Sequence, residues 1–476
     1  MRKTKIVCTL GPNENDYELM KKLAEKMDVA RFNFSHGSHQ EHLGRLALLK
    51  QARKDTGREI AALLDTKGPE IRTGELEDHK KVMLETGKEI VLTIDECVGN
   101  ASRVYINYDG LNEDVREGST ILIDDGLIGL KVKCVEGADI HCLITNGGEL
   151  GEKKGVNVPN VSIRLPGLTE KDIEDIKFGI EEGFDFVAAS FVRNAETIEQ
   201  IRALISEAGS SMKIIAKIES QEGLDNLDAI IAAADGIMVA RGDLGVEIDA
   251  KRLPQLQKEM IHKCNYAGKL VITATQMLDS MIRNPRPTRA EVTDVANAVY
   301  NGTDAVMLSG ETAAGKYPVE ALDMMASIVE YTEQFLDYTQ YKKRNVDEST
   351  YANISNAVCA ASVTTASELD AKALIVPTLS GSTAKLISKY RPKTHIYAMS
   401  PSQGTVRQMM LLWGVTPIWA RRADTTDELF ESSMDELRER SIVEKGDLCV
   451  ITAGVLSRMT RNQPVTATNI MRVMQA

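Results

Sequence analysis

Ile214-Ile215-Ala216-Lys217-Ile218-Glu219 is an apolar run broken by a cation and closed by an acid. Read as a strand it alternates faces, so Ile215, Lys217 and Glu219 point one way and Ile214, Ala216 and Ile218 the other. A lysine and a carboxylate aimed into one apolar interior are costly unless they hold a ligand, a metal or each other. Further along, Gly236-Ile237-Met238-Val239-Ala240 runs into Arg241-Gly242-Asp243, and Leu270-Val271-Ile272-Thr273-Ala274-Thr275 ends in hydroxyls. Successive buried strands that place polar groups at their C-terminal ends can converge them on one site.

Outward from this stretch the pattern repeats. Apolar runs bounded by turn residues predict strands at Lys5 to Thr9, Val29 to Asn33, Ile60 to Asp65, Phe184 to Ser190, Lys213 to Glu219, Gly236 to Ala240, Leu270 to Thr275 and Ala305 to Ser309. Amphipathic stretches predict helices at Tyr17 to Lys26, His39 to Arg53, Lys171 to Glu181, Thr197 to Glu207, Leu224 to Ala233, Gln255 to Ala267, Arg289 to Tyr300 and Val319 to Phe335. Ser38 precedes Glu41, and Thr169 precedes Asp172, at the spacing of a helix capping box. Parallel strands each followed by a helix, repeated to this number, specify a closed (β/α)8 TIM barrel.

The rhythm breaks between Asp65 and Thr169. Short alternating runs there, Glu89 to Ile94, Arg103 to Asn107, Thr120 to Ile123, Leu127 to Cys134 and Asp139 to Ile144, predict an all-β domain inserted after strand 3. It would sit on the face where barrel active sites lie, and a mobile lid is its natural use. The charged segment Tyr341 to Glu348 reads as a linker. Beyond it, strands at Ala373 to Val376, Ile396 to Met399, Thr416 to Trp419 and Leu448 to Thr452 alternate with helices at Asn353 to Glu368, Ser382 to Lys389, Thr405 to Leu412 and Asp427 to Arg440, an open-sheet α/β domain. The expected division is residues 1–66 with 164–340 for the barrel, 67–163 for the inserted β-barrel lid and 341–476 for the C-terminal α/β domain.

A chain of 476 residues exceeds what one core organises, which agrees with two or three domains. Its net charge of -12 argues against a surface built for nucleic-acid phosphates, so any anion site must be local. The 7 cysteines are scattered, odd in number and without a CxxC pair, as reduced thiols of a cytoplasmic protein would be. No uninterrupted apolar segment approaches the roughly 18 to 20 residues that cross a bilayer. A soluble protein with neither nucleic-acid nor membrane partners is expected.

The polar residues at the strand ends are Arg31 and Asn33 with Ser35-His36-Gly37, Asp65-Thr66-Lys67-Gly68-Pro69-Glu70, Ser190, Lys217 with Glu219, Asp243 and Thr275. Glu219 and Asp243 suit a hard divalent cation that keeps several waters. Asn33, Ser35, Asp65 and Thr66 offer oxygens for a second, softer cation site. Arg31, Arg72, Lys154 and Lys217 supply positive charge, and metals together with several cations around one pocket are the recurring parts of phosphoryl transfer. Each member alone is weak. Lys-x-Glu on an exposed helix would be solvated, Thr275 could be an ordinary strand hydroxyl, His36 could serve a turn, and Lys153-Lys154 could be a surface pair. The constellation is what points to a site.

These residues carry a resemblance to the pyruvate kinase family, of the bacterial type without an extra C-terminal domain. Arg31-Phe32-Asn33-Phe34-Ser35-His36-Gly37, Asp65-Thr66-Lys67-Gly68-Pro69-Glu70-Ile71-Arg72, Lys153-Lys154-Gly155-Val156-Asn157, Lys217-Ile218-Glu219, Ala240-Arg241-Gly242-Asp243-Leu244-Gly245, Ala274-Thr275-Gln276-Met277-Leu278 and Leu308-Ser309-Gly310-Glu311-Thr312 all match its motifs. The resemblance implies transfer of the phosphoryl group of phosphoenolpyruvate to ADP, giving pyruvate and ATP, the last step of glycolysis. It implies that Lys217 neutralises the phosphoryl group in flight, that Arg31 contacts the substrate phosphate, and that Glu219 and Asp243 hold Mg2+. Amides at Gly242 and Asp243 with the Thr275 hydroxyl would bind the substrate carboxylate, Thr275 would serve proton delivery, and Ser190 would line the substrate site. Asn33, Ser35, Asp65 and Thr66 would ligate K+, and Asn33, His36, Arg72 and Lys154 would face the nucleotide. Within the family a glutamate at the position of Glu70 goes with K+ dependence.

The resemblance also implies a homotetramer and a regulatory C-terminal domain. Thr378, Ser380, Ser382 and Thr383 follow a strand and open a helix, where amides and hydroxyls could cradle the phosphate of a sugar phosphate or nucleotide monophosphate effector. Ser382 stands where a basic residue is often found, and the last loop, Ala453 to Pro464, is unlike the usual Gly- and Ser-rich version. Two other readings are a lyase or mutase barrel enzyme acting with Mg2+ on phosphoenolpyruvate or pyruvate, and a non-catalytic metabolite-binding paralogue. The first would not need Arg72, Lys154 or the lid, and the second should have lost a charged member.

Overall fold

The computed structural model describes residues 2–339, 353–454 and 468–476; the expected linker and residues 455–464 of the last loop lie outside them. Parallel strands close into a barrel in chain order: Lys5–Leu10, Val29–Asn33, Ala61–Asp65, Phe186–Ala189, Lys213–Ile218, Gly236–Ala240, Leu270–Ala274 and Ala305–Leu308, the last pairing with the first. Alternation along each strand sorts two cores. Val7, Val29, Leu63, Ala188, Ile215 and Met238 fill the barrel, while Ile6, Ala30, Leu64, Val187, Ile214 and Ile237 pack under the outer helices.

Helices begin where the caps predict. Ser38 and Thr169 each form a complete capping box with Glu41 and Asp172. The helix expected at Leu224 to Ala233 is instead two, Gln221–Asp225 and Leu227–Ala233, interrupted at Asn226. Asn226 donates its amide to the Arg193 carbonyl, a tertiary bond that no local pattern announces.

The inserted domain is a six-stranded sheet in the order Val156–Asn157, Thr120–Ile123, Ile128–Glu136, Asp139–Asn146, Glu89–Thr93 and Arg103–Tyr105, with its own apolar core. A second pairing, Val82–Leu84 with Gly148–Leu150, was not predicted, because three residues hold less than two periods of alternation. At the exit from the barrel Gly68 adopts φ +74°, and a Cβ there would lie 2.8 Å from that of Ser190. Only glycine fits this turn. Its amide donates to Asp172 Oδ1 at 2.9 Å, so the capping carboxylate of the helix that resumes the barrel also fixes the chain leaving it.

The C-terminal sheet runs Val415–Trp419, Ile396–Ser400, Ala373–Pro377, Leu448–Ala453 and Ile470–Gln475. All pairs are parallel except the last, an edge strand the sequence reading missed because its side chains are mostly exposed on both faces. Strand order reverses at Ala373–Pro377, which creates the crevice where open α/β sheets bind ligands. This domain is keyed to the closed end of the barrel through a buried pair, Arg391 with Asp304 at 2.8 Å, and a half-buried one, Arg407 with Asp185 at 2.9 Å. Among the described residues no helix is long and apolar enough to cross a membrane.

Candidate active site

At the open end of the barrel the inward rows turn polar. Two positions beyond Val29 is Arg31, beyond Leu63 is Asp65, beyond Ala188 is Ser190, and beyond Ile215 is Lys217, each on the interior face by alternation. Lys217 Nζ lies 2.6 Å from Ser190 Oγ, 3.1 Å from Asp65 Oδ1 and 3.1 Å from Glu219 Oε1. Arg31 Nε donates to Asp65 Oδ2 at 2.6 Å, and its Nη1 to Thr9 Oγ1 at 2.9 Å. Ser190 Oγ donates to the Thr66 carbonyl at 2.6 Å, and the Phe191 amide donates to Glu219 Oε2 at 2.6 Å.

Burial works against charge on Asp65, Lys217 and Glu219, and their partners decide what survives it. Asp65 is served by both Arg31 and Lys217, which hold its carboxyl below the usual range. Lys217 is held firmly charged by Asp65 and Glu219 despite its burial. Burial, with the Asp243 carboxylate that it faces, outweighs Lys217 and the Phe191 amide on Glu219, so its carboxyl is pushed up to about 7. Asp243 lies in the first turn of the helix Arg241–Glu247, and no cation among the described residues comes within ion-pair distance of it. Two facing carboxylates short of positive charge are a donor set that a divalent cation would satisfy. Among the described residues no three His, Cys, Asp or Glu side chains cluster as a metal site, so the remaining positions on such an ion would go to substrate oxygens and water.

Thr275 departs from the strand-end expectation. The strand stops at Ala274, and Thr275 and Gln276 take φ of +66° and +52°. For non-glycine residues this costs on the order of 1–3 kcal/mol each and persists only where the surroundings hold it. The Gly242 amide donates to Thr275 Oγ1 at 2.8 Å, which in turn donates to the Ala274 carbonyl at 2.6 Å.

The softer set is less open. Asn33 Oδ1 accepts from the Ser35 amide at 3.2 Å, and Asn33 stands beside Asp65 in register. Both Asp65 oxygens already face cations, and the Thr66 hydroxyl accepts from the Ser190 amide at 3.1 Å. A monovalent ion here would share these oxygens.

Between barrel and inserted domain lies a cleft of about 590 Å³ walled by Glu70, Arg72, Asp125, Lys154, Asp243 and Glu247. Asp124 and Asp125 were not anticipated. They form a hairpin tip with φ of +56° and +53°, Asp124 accepts from Lys154 Nζ at 2.9 Å, and Asp125 is raised by burial and by Asp243 opposite. An Asp-Asp-Gly turn is legible in sequence, but which tip faces the barrel is not. A second cleft, of about 690 Å³, holds Ser35, His36 and Arg72. Arg72 therefore borders both, whereas His36 and Lys154 lie in different clefts. Its guanidinium is 2.7 Å from Glu70.

In the C-terminal domain Thr378, Ser380, Ser382 and Thr383 line one crevice of about 150 Å³ at the sheet's switch point. Arg421 and Arg422 line the same crevice and were missed, because they belong to the loop after a different strand. Thr383 is buried and bonded to Thr468 Oγ1 at 2.8 Å.

Comparison with known proteins gives concordant results. Residues 1–322 match the family model described as pyruvate kinase, barrel domain, and residues 356–474 that described as pyruvate kinase, alpha/beta domain. A pyruvate kinase of Sporosarcina psychrophila is 52% identical over 459 residues, which cover 96% of this chain and 78% of the relative. One of Clostridium acetobutylicum is 48% identical over 478 residues, 99% of each chain. A solved pyruvate kinase from Cryptosporidium parvum superimposes with a TM-score of 0.93 at 38% identity, covering 100% of this chain and 96% of that one.

Proposed function

The chain belongs to the pyruvate kinase family and is a phosphotransferase of that kind, and from this premise we propose how its own residues divide the work on phosphoenolpyruvate and ADP. The observation that carries the assignment is Lys217, kept charged at the barrel mouth by Asp65 and Glu219. A fixed ammonium beside the metal-seeking carboxylates meets the charge that develops on a phosphoryl group in transit. Arg31, oriented by Asp65 and Thr9, holds the substrate phosphate. The Asp243 amide and the Thr275 hydroxyl, itself held by the Gly242 amide, receive the substrate carboxylate, with Ser190 steadying Lys217 from the side. The enolate of pyruvate left by the transfer takes one proton at its methylene carbon from the Thr275 hydroxyl, which regains one from solvent.

Glu219 and Asp243 would hold Mg2+, whose chemistry is to neutralise phosphoryl oxygens and orient them. Asn33, Ser35, Asp65 and Thr66 would share their oxygens with K+. Arg72, Lys154, His36 and Asn33 serve the nucleotide, Arg72 from its place between the two clefts. Thr378, Ser380, Ser382 and Thr383, with Arg421 and Arg422, would take the phosphate of a sugar phosphate or nucleotide monophosphate effector. Residues 1–66 with 164–340, 67–163 and 341–476 act as barrel, lid and regulatory domain of a cytoplasmic homotetramer.

The test is pyruvate formation from phosphoenolpyruvate and ADP with Mg2+, in K+ and then in a large organic cation at equal ionic strength. Activity should depend on K+, through a raised apparent KM for phosphoenolpyruvate and a lowered turnover without it. Glu70→Lys should lessen that requirement, because a lysine supplies locally the charge the ion otherwise provides. Equal rates in the two cations would remove K+ from the mechanism, and absence of turnover in every condition would remove the residue assignments with it.

A further inference from the structure

Thr275 carries two roles in the reaction proposed above, yet it sits in a backbone conformation that a residue branched at Cβ rarely adopts. One side chain grips that backbone directly. Arg241 opens the helix Arg241–Glu247, is 8% exposed, and reaches to the end of the neighbouring strand. Its Nε donates to the Ala274 carbonyl at 3.1 Å and its Nη2 to the Thr275 carbonyl at 2.6 Å. Its Nη1 donates to both oxygens of Asp294, at 2.8 and 2.6 Å, and lies 3.4 Å from Gln257 Oε1. The next residue along, Gly242, grips the Thr275 hydroxyl through its amide. Carbonyl and hydroxyl of Thr275 are thus fixed from adjacent residues of one segment.

We propose that Arg241 and Asp294 form a positioning clamp that sets the Thr275 hydroxyl for proton delivery, an inference that rests on the role given to Thr275 above. A guanidinium is a planar fork of donors whose direction is set by its carboxylate partner. Asp294, on the helix Arg289–Asn301, aims the fork at the Ala274 and Thr275 carbonyls. Without it the fork can turn, the Thr275 carbonyl loses its donor, and the left-handed backbone relaxes toward the strand. Arg241 and Asp294 touch no reacting atom in this scheme. Their loss therefore shows in the two events that use the hydroxyl, carboxylate binding and above all proton delivery, rather than in capture of the phosphate by Arg31.

The test is a double-mutant cycle of Asp294→Ala and Thr275→Ala in the full chain with Mg2+ and K+. The readouts are kcat, KM for phosphoenolpyruvate, and the exchange of pyruvate methyl hydrogens with D2O followed by NMR. Asp294→Ala should lower kcat and exchange about tenfold to a hundredfold, the scale of a misplaced catalytic group, and Asp294→Glu should restore most of both. Its KM for phosphoenolpyruvate should rise no further than in Thr275→Ala, which loses the same carboxylate contact. In the Thr275→Ala background the same substitution should add less than about twofold, because the group it positions is gone. Equal factors in both backgrounds, an unchanged kcat, or an effect on KM alone would overturn the clamp. If Asp294→Ala does not fold, the isosteric Asp294→Asn runs the same cycle. Full kcat and exchange in Thr275→Ala would instead overturn the role of Thr275 itself, an outcome separable from failure of the clamp.

Discussion

Lys217 couples stability to catalysis, because the ammonium that would meet the phosphoryl group also neutralises two buried carboxylates. Lys217→Met should lower kcat at least about a hundredfold, the usual cost of removing a group aimed at transition-state charge. It should also destabilise the protein by on the order of 3 kcal/mol, the lower end for breaking a buried ion pair, since Arg31 still serves Asp65. Steady-state kinetics and urea melts check the two halves, and near-normal turnover would remove Lys217 from the transfer. At this scale alternation alone placed Arg31, Asp65, Lys217 and Glu219 together. The φ of Thr275 could not be read, because nothing local requires it and the donors that hold it come from another strand end.

Among the elements, the helix Glu170–Glu181 does more than close the barrel. Its capping residue Asp172 bonds Thr169 through one oxygen and Gly68 through the other. Asp172→Ala should cost about 1 kcal/mol through the cap, and should quicken amide hydrogen exchange at the turn after the third barrel strand. Mass spectrometry of peptides covering Gly68 checks this, and unchanged exchange would leave Asp172 a cap only. Helix starts and barrel strands were legible because caps and apolar runs are local signals. The strands Val82–Leu84, Gly148–Leu150, Val156–Asn157 and Ile470–Gln475 were not, being too short or too exposed to carry a period.

For the whole molecule, the inserted domain meets the barrel through Asn157 and Glu247 at 2.9 Å and through Ser162 and Glu222 at 3.2 Å. The cleft of about 590 Å³ between the two leaves room for closure, so small-angle scattering should show compaction when Mg2+, ADP and a substrate analogue are added. An unchanged profile would mean a fixed domain. At the other end of the barrel His395, bonded to Thr416, is pushed down to about 3 by burial and then by Lys5 and Lys3. The unfolded chain protonates this imidazole near pH 6.5 while the folded one does not. Its contribution to stability is therefore whole above pH 6.5 and is lost as pH falls toward 3. His395→Asn should flatten the acid limb of a plot of melting temperature against pH, and an identical slope would place the acid sensitivity elsewhere, His42 being also pushed down, to about 4.

By itself the sequence determined the barrel, the insertion after its third strand, the third α/β unit, and the charged ring at the strand ends, because each follows from periodicity and alternation within a segment. Tertiary structure alone decided the rest. It assigned Asp125 to face Asp243, put His36 and Lys154 in separate clefts, brought Arg421 and Arg422 to the C-terminal crevice, and set Arg241 and Asp294 behind Thr275. These are relations between side chains on different elements, and their distances exist only once barrel closure and domain docking have fixed where each element stands.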